Sequence, residues 1–163
     1  MHRYILILII YLTSTGGVAA MGESNRIIKV FNELRADNMH ILDDFYHPDA
    51  RFVDPISDLK GLDTLKAYYL GLYQNVTSIR FDFSHISHDK NKYVGVWTMY
   101  MKSKKLNKGK EIALPGVSHL HFDEATNKVI YHRDYFDMGD FIYKHIPVLG
   151  FVVKKINAKL GGH

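Results

Sequence analysis

From residue 24 onward, apolar and polar positions follow two rhythms, and the change from one to the other divides the chain. Ile27, Phe31 and Leu34 recur at i, i+4 and i+7 as one face of a helix, with Ser24 or Asn25 placed to cap its start. Asn38 can cap a second short helix carrying Met39, Leu42 and Phe45, which Pro48 ends. Residues 50–55 read as a short strand stopped by Pro55, which has no amide to give to a ladder. After Gly61, the spacing of Leu65, Tyr69 and Leu72 predicts a third helix.

Beyond residue 78 the period drops to two. Ile79, Phe81 and Phe83 alternate with Arg80, Asp82 and Ser84. Residues 93–102 put Val94, Val96, Thr98 and Tyr100 on one face, and Trp97, Met99 and Met101 on the other. A polar turn over 104–110 leads to a strand over about 112–122, and a second turn over 123–128 leads to a last strand over 129–137. Long strands joined by short polar turns predict an antiparallel meander. Helices followed by such strands give an α+β fold, with N-terminal helices packed in the concave face of a curved antiparallel sheet.

Composition sharpens this. With 163 residues, 47% apolar and 23% charged, the chain is that of one ordinary domain. Aromatic residues reach 13%, a surplus suited to a tapering, ring-lined interior. The absence of cysteine excludes a disulfide scaffold, a thiolate zinc site, an iron–sulfur cluster and cysteine catalysis. The net charge is +4, with Lys and Arg interspersed among Asp and Glu. That pattern argues against a nucleic-acid partner, which selects concentrated positive charge.

The two ends stand apart from residues 21–138. Residues 1–20 run from a short basic start through an apolar stretch at 4–12 to small residues at Val18 and Ala20, the zones of a secretory signal. The apolar run itself is too short to span a bilayer, although the uncharged stretch continues to Ala20 and leaves an uncleaved anchor open. Met21, preceded by Gly16-Gly17, whose codons could conceal a bacterial ribosome-binding sequence, reads equally as the natural start. Export to the periplasm or medium follows from the first reading, and a cytoplasmic protein from a start at Met21. Residues 139–163 form an apolar helical tail with basic punctuation, broken by Pro147 and Gly150 and carrying a net +3 from Asp140 to His163. Such a tail can lie on an anionic membrane surface, cross a pocket mouth or pack along a partner.

The run Tyr46-His-Pro-Asp49-Ala50-Arg51-Phe52-Val53-Asp54-Pro55, followed by Gly61-Leu-Asp-Thr-Leu65, resembles the signature of the nuclear transport factor 2-like superfamily, in its bacterial SnoaL-like and ketosteroid-isomerase-like branch. Residues 118–124 and 130–137 look similar as well, so the resemblance spans about 23–138. It implies a cone-shaped, cystatin-like α+β roll with a deep pocket for a hydrophobic small molecule, and a homodimer through the outer sheet face. It also implies cofactor-independent isomerase, cyclase or dehydratase chemistry, or else non-catalytic binding of a lipid, small molecule or partner.

Within that resemblance Asp54 matches the general base of the isomerases. A carboxylate in an apolar pocket suits that work, while Asp-Pro is equally a turn-initiating pair. The isomerase donors are not matched: Val30 stands where a tyrosine belongs and Ser118 where an aspartate belongs, so the steroid isomerase mechanism does not carry over. Alternation along the last strand groups Ile130, His132, Asp134 and Phe136, and the resemblance turns that set toward the pocket. His132 and Asp134 would assist Asp54 as catalytic residues, with Ser118 as a donor to an oxyanion. Tyr46, Tyr69, Trp97 and Phe136 would line the substrate pocket, alongside Tyr68 and Tyr100. His119 and His121 share the other face with no convergent carboxylate, which reads as an exposed pair; neither a metal nor a cofactor is expected.

Overall fold

The computed structural model describes residues 15–145 and 147–161, so most of the signal-like segment lies outside the described residues. Helix α1 (Thr15–Glu33) begins upstream of the expected caps at Ser24 and Asn25, and buries the predicted stripe of Ile27, Phe31 and Leu34. A 3-10 turn (Met39–Ile41) and the one-turn α2 (Leu42–Phe45) follow. Asn38 does not cap them with its side chain. Its amide instead accepts from the Arg35 N–H and donates to the Glu33 carbonyl, closing the end of α1.

Strand β1 (Tyr46–Val53) starts earlier than expected and contains Pro48 rather than following it. The reason is register. Tyr46 pairs with Val129 and Arg51 with Tyr131, so the ladder is broken across Pro48 and needs no amide there. A short β2 (Asp58–Lys60) and α3 (Leu62–Tyr73) come next. Four long strands complete the sheet: β3 (Val76–Asp89), β4 (Lys92–Ser103), β5 (Ile112–Phe122) and β6 (Val129–Phe136).

The six strands lie in the order β2-β1-β6-β5-β4-β3. All neighbours are antiparallel except β1 and β6, which run parallel, so the sheet is mixed rather than wholly antiparallel. A bulge on β6 at Ile130 resets the alternation: Val129 is fully buried, Ile130 is not, and His132, Asp134 and Phe136 then follow the predicted inward phase. Helix α4 (Met138–Phe141), capped by the Asp137 side chain, leads through a 3-10 turn (Tyr143–His145) to α5 (Pro147–Gly161).

Helix α1 lies against the inner face of the sheet. Phe31 meets Phe81 and Phe83 edge-on, at centroid distances of 5.2 and 5.4 Å. Asn32 clamps the open edge of β3, accepting from Phe81 N–H at 2.8 Å and donating to its carbonyl at 3.0 Å, which blocks edge-to-edge pairing. The narrow end of the cone is filled by Phe45, Tyr46, Tyr93 and Phe122 in edge-to-face contact. Arg26 seals it from above, its guanidinium over the Phe45 and Phe122 rings while donating to the Asp44 and Asn127 carbonyls. The wide end is not filled.

Candidate active site

A cavity of about 170 Å³ opens there, between α3, the inner faces of β3–β5, the end of β6, and α4. An engineered cavity of roughly 150 Å³ holds benzene, so the space suits a compact apolar ligand. Its wall is mostly aliphatic and aromatic, with Met99, Met101 and Leu114 from the sheet and Tyr69 and Tyr73 from α3. Trp97 can lie flat in this wall because Gly116, its partner on β5, has no β-carbon: one placed there would run into the indole ring.

Two carboxylates reach the wall, Asp54 and Asp134. In the parallel ladder Phe52 pairs with His132 and Val53 with Arg133, so Asp54 and Asp134 are the next residues on adjacent strands. Only the parallel pairing brings them side by side. Their surroundings differ. Asp54 Oδ1 accepts from the backbone N–H groups of Ile56 and Ser57, both at 2.7 Å, in the turn after Pro55. Its Oδ2 accepts from the Tyr68 hydroxyl at 2.5 Å. Asp54 is therefore both a turn-former and a wall residue.

Asp134 ends a longer polar chain. Its Oδ1 accepts from Ser118 Oγ at 2.5 Å and lies 2.8 Å from His132 Nε2. Behind His132, Tyr46 Oη is 2.5 Å from Nδ1; behind Ser118, Trp97 Nε1 donates to Oγ at 2.8 Å. Burial, the largest cause, pushes the Tyr46 phenol well above its ordinary range, and the Asp134 charge adds to this. The phenol stays protonated and donates to Nδ1, which leaves Nε2 to carry the proton toward Asp134. Both branches of the network then end on one carboxylate oxygen. Among the described residues, Asp134 Oδ2 has no hydrogen-bond partner. The Tyr68, Tyr69 and Tyr73 phenols are likewise raised, by burial first, and all three feel the Asp134 charge.

Of the ten residues expected at the site, Asp54, Asp134, Tyr68, Tyr69, Trp97 and Phe136 stand on the cavity wall. Three others stand behind it. Ser118 is wholly buried, and its hydroxyl hydrogen goes to Asp134, so it has none to offer an oxyanion. His132 (1% exposed) bonds to Asp134, and Tyr46 (2%) bonds to His132, so neither stands on the wall of this cavity. Tyr100 lies on the outer face beneath the Arg80 guanidinium. Sequence reasoning missed Phe141 and Ile142, which close the mouth from α4 and the turn after it. The edge-on contact of Phe141 with Phe136, centroids 5.5 Å apart, fixes them there.

On the outer face, His119 and His121 are half-buried rather than exposed, with Nε2 atoms 2.9 Å apart and the Tyr131 ring packed on both. Burial, and then neighbouring positive charge, favours their neutral forms. Among the described residues no group of three or more His, Cys, Asp or Glu side chains is placed to hold a metal, and no helix is long and apolar enough to cross a membrane.

Comparison with known proteins agrees with the fold. A candidate SnoaL-like polyketide cyclase from Shewanella putrefaciens superposes with a TM-score of 0.65 at 19% identity, covering 76% of this chain and 93% of that one. Its counterpart from Shewanella denitrificans gives 0.62 at 23%, over 79% and 95%. A nuclear transport factor 2-like protein of unknown function from Burkholderia pseudomallei gives 0.65 at 15%, over 77% and 96%. No curated protein matches the chain. The family model of the SnoaL-like domain matches residues 27–132, most of the chain and nearly all of the cone, and the protein belongs to that family.

Proposed function

We propose that the protein binds a hydrophobic small molecule in this cavity and acts on it by general acid–base chemistry, with Asp134 as the base. The observation that carries the proposal is the Asp134 carboxylate: it stands on the wall of a mostly apolar hollow, one oxygen is held by His132 and Ser118, and the other has no partner among the described residues. Asp54 matched the isomerase base in sequence, but its two oxygens already accept three hydrogen bonds. In this reading Asp134 Oδ2 takes a proton from carbon beside a carbonyl. The protonated phenol of Tyr73 on the same wall donates to the oxyanion that forms. Returning the proton to another carbon gives isomerisation; attack of the enolate on a second carbonyl, whose oxygen takes the proton from Asp134, gives aldol-type cyclisation. His132 and Tyr46 are positioning residues that fix the carboxylate. The polyketide-cyclase description of two structural relatives fits this chemistry.

Exchange of the acidic C–H protons of 2-tetralone in D₂O, followed by NMR, tests the proposal. Asp134→Asn should slow exchange by at least about a hundredfold while leaving tetralone binding intact, the usual scale of a general base. Binding without exchange above buffer in either form would leave a carrier, the second reading of the fold.

A further inference from the structure

Among the described residues, the last helix has little to pack on. Helix α5 (Pro147–Gly161) rests mainly on the 3-10 turn before it, where Gly150 approaches so closely that a β-carbon would lie 2.7 Å from the Lys144 carbonyl oxygen. That contact fixes which side faces the turn. The rest of the helix turns outward, and it is apolar: Leu149, Val152, Ile156 and Leu160 follow helical spacing along one stripe, and each is exposed, Leu160 by 80%. Phe151, 68% exposed, lies farther round the helix, one turn before Lys155.

The polar residues complete the pattern. Lys155 and Lys159, one turn apart, border the stripe, Lys154 lies farther round, all three are exposed, and the helix carries no acidic residue. An uncovered apolar stripe edged by lysines matches a surface that is greasy below and negatively charged above. The helix is about 22 Å long at 1.5 Å per residue, enough to lie in a headgroup layer and too short to cross the bilayer. Its base is the turn that directly follows Phe141 and Ile142, the two residues closing the cavity mouth.

We propose that α5 docks the protein on an anionic lipid surface, with the cavity mouth held next to the bilayer. This deepens the reading above, on which it rests for the consequence: an apolar substrate would reach Asp134 from the membrane rather than from water. The docking itself does not depend on catalysis.

Co-sedimentation of the full chain with vesicles tests it, comparing pure phosphatidylcholine with mixtures containing 30% phosphatidylglycerol. Binding should favour the anionic vesicles, fall as salt is raised, and drop at least tenfold in Lys154→Glu/Lys155→Glu/Lys159→Glu and in Val152→Ser/Ile156→Ser. Both variants should keep the thermal midpoint, because these side chains are exposed. Equal binding to neutral vesicles, or unchanged binding by the variants, overturns the proposal. So does light scattering that finds a dimer dispersed by Val152→Ser/Ile156→Ser, since a second copy would then cover the stripe. Tetralone binding measured without vesicles reads the cavity separately, so failure of docking and failure of the cavity reading are distinguishable.

Discussion

The two ends of the cone are built from the same kinds of residue and do opposite things. At the narrow end Phe45, Tyr46, Tyr93 and Phe122 are buried and meet edge to face. At the wide end Tyr69, Trp97 and Phe136 stand around a hollow. Ring content alone does not separate core from pocket. What separates them is whether a helix reaches the sheet: α1 presses Ile27 and Phe31 onto the inner face, whereas toward the mouth α3 and α4 only rim the space. His132 marks the boundary, stacked on Tyr46 on one side and bonded to Asp134 on the other.

The largest expected effect breaks the filled end. Phe45→Ala should cost about 3–5 kcal/mol, the usual loss for emptying a close-packed aromatic site, read by chemical denaturation. Tetralone affinity per folded molecule should stay the same. A matching loss of affinity would mean that the two ends are not independent.

Much of this division was legible in the sequence. Period-two alternation identified Trp97, Met99 and Met101 as one inward face, and the spacing of Ile27, Phe31 and Leu34 identified the helix that covers it. Depth was not legible. Ser118 and His132 point inward as expected, yet they sit behind the wall because Asp134 and Trp97 stand between them and the cavity. Nor was the neighbourhood of the two carboxylates, because it depends on a parallel β1–β6 pairing that local patterns do not encode. The closing of the mouth by Phe141 and Ile142 depends on how the chain turns after Asp137, in a segment whose apolar character suited several placements.

A smaller effect probes the boundary. Tyr46→Phe removes one hydrogen bond to His132 and leaves Nδ1 without a donor in a buried place, which should cost about 1–3 kcal/mol. Tetralone exchange should slow about tenfold with affinity unchanged, because the carboxylate loses its support and the wall stays as it was. Unchanged exchange would confine the network to a structural role.

The smallest effect is the pH dependence. Burial raises the phenols of Tyr46, Tyr68, Tyr69 and Tyr73, so the folded state holds these protons more tightly than the unfolded chain. Their contribution is complete below the ordinary phenol value near 10 and declines as pH rises past it. Thermal midpoints should change little on their account between pH 7 and 9 and fall above about 10. A steady fall from pH 8 would place the charge elsewhere.

Trp97 is the chain's one tryptophan, and the space left by Gly116 sets its indole in the cavity wall with its N–H on Ser118. All indole fluorescence therefore comes from a single point beside the ligand. Whatever enters the hollow will shift or quench that emission, and the protein reports its own occupancy without a label.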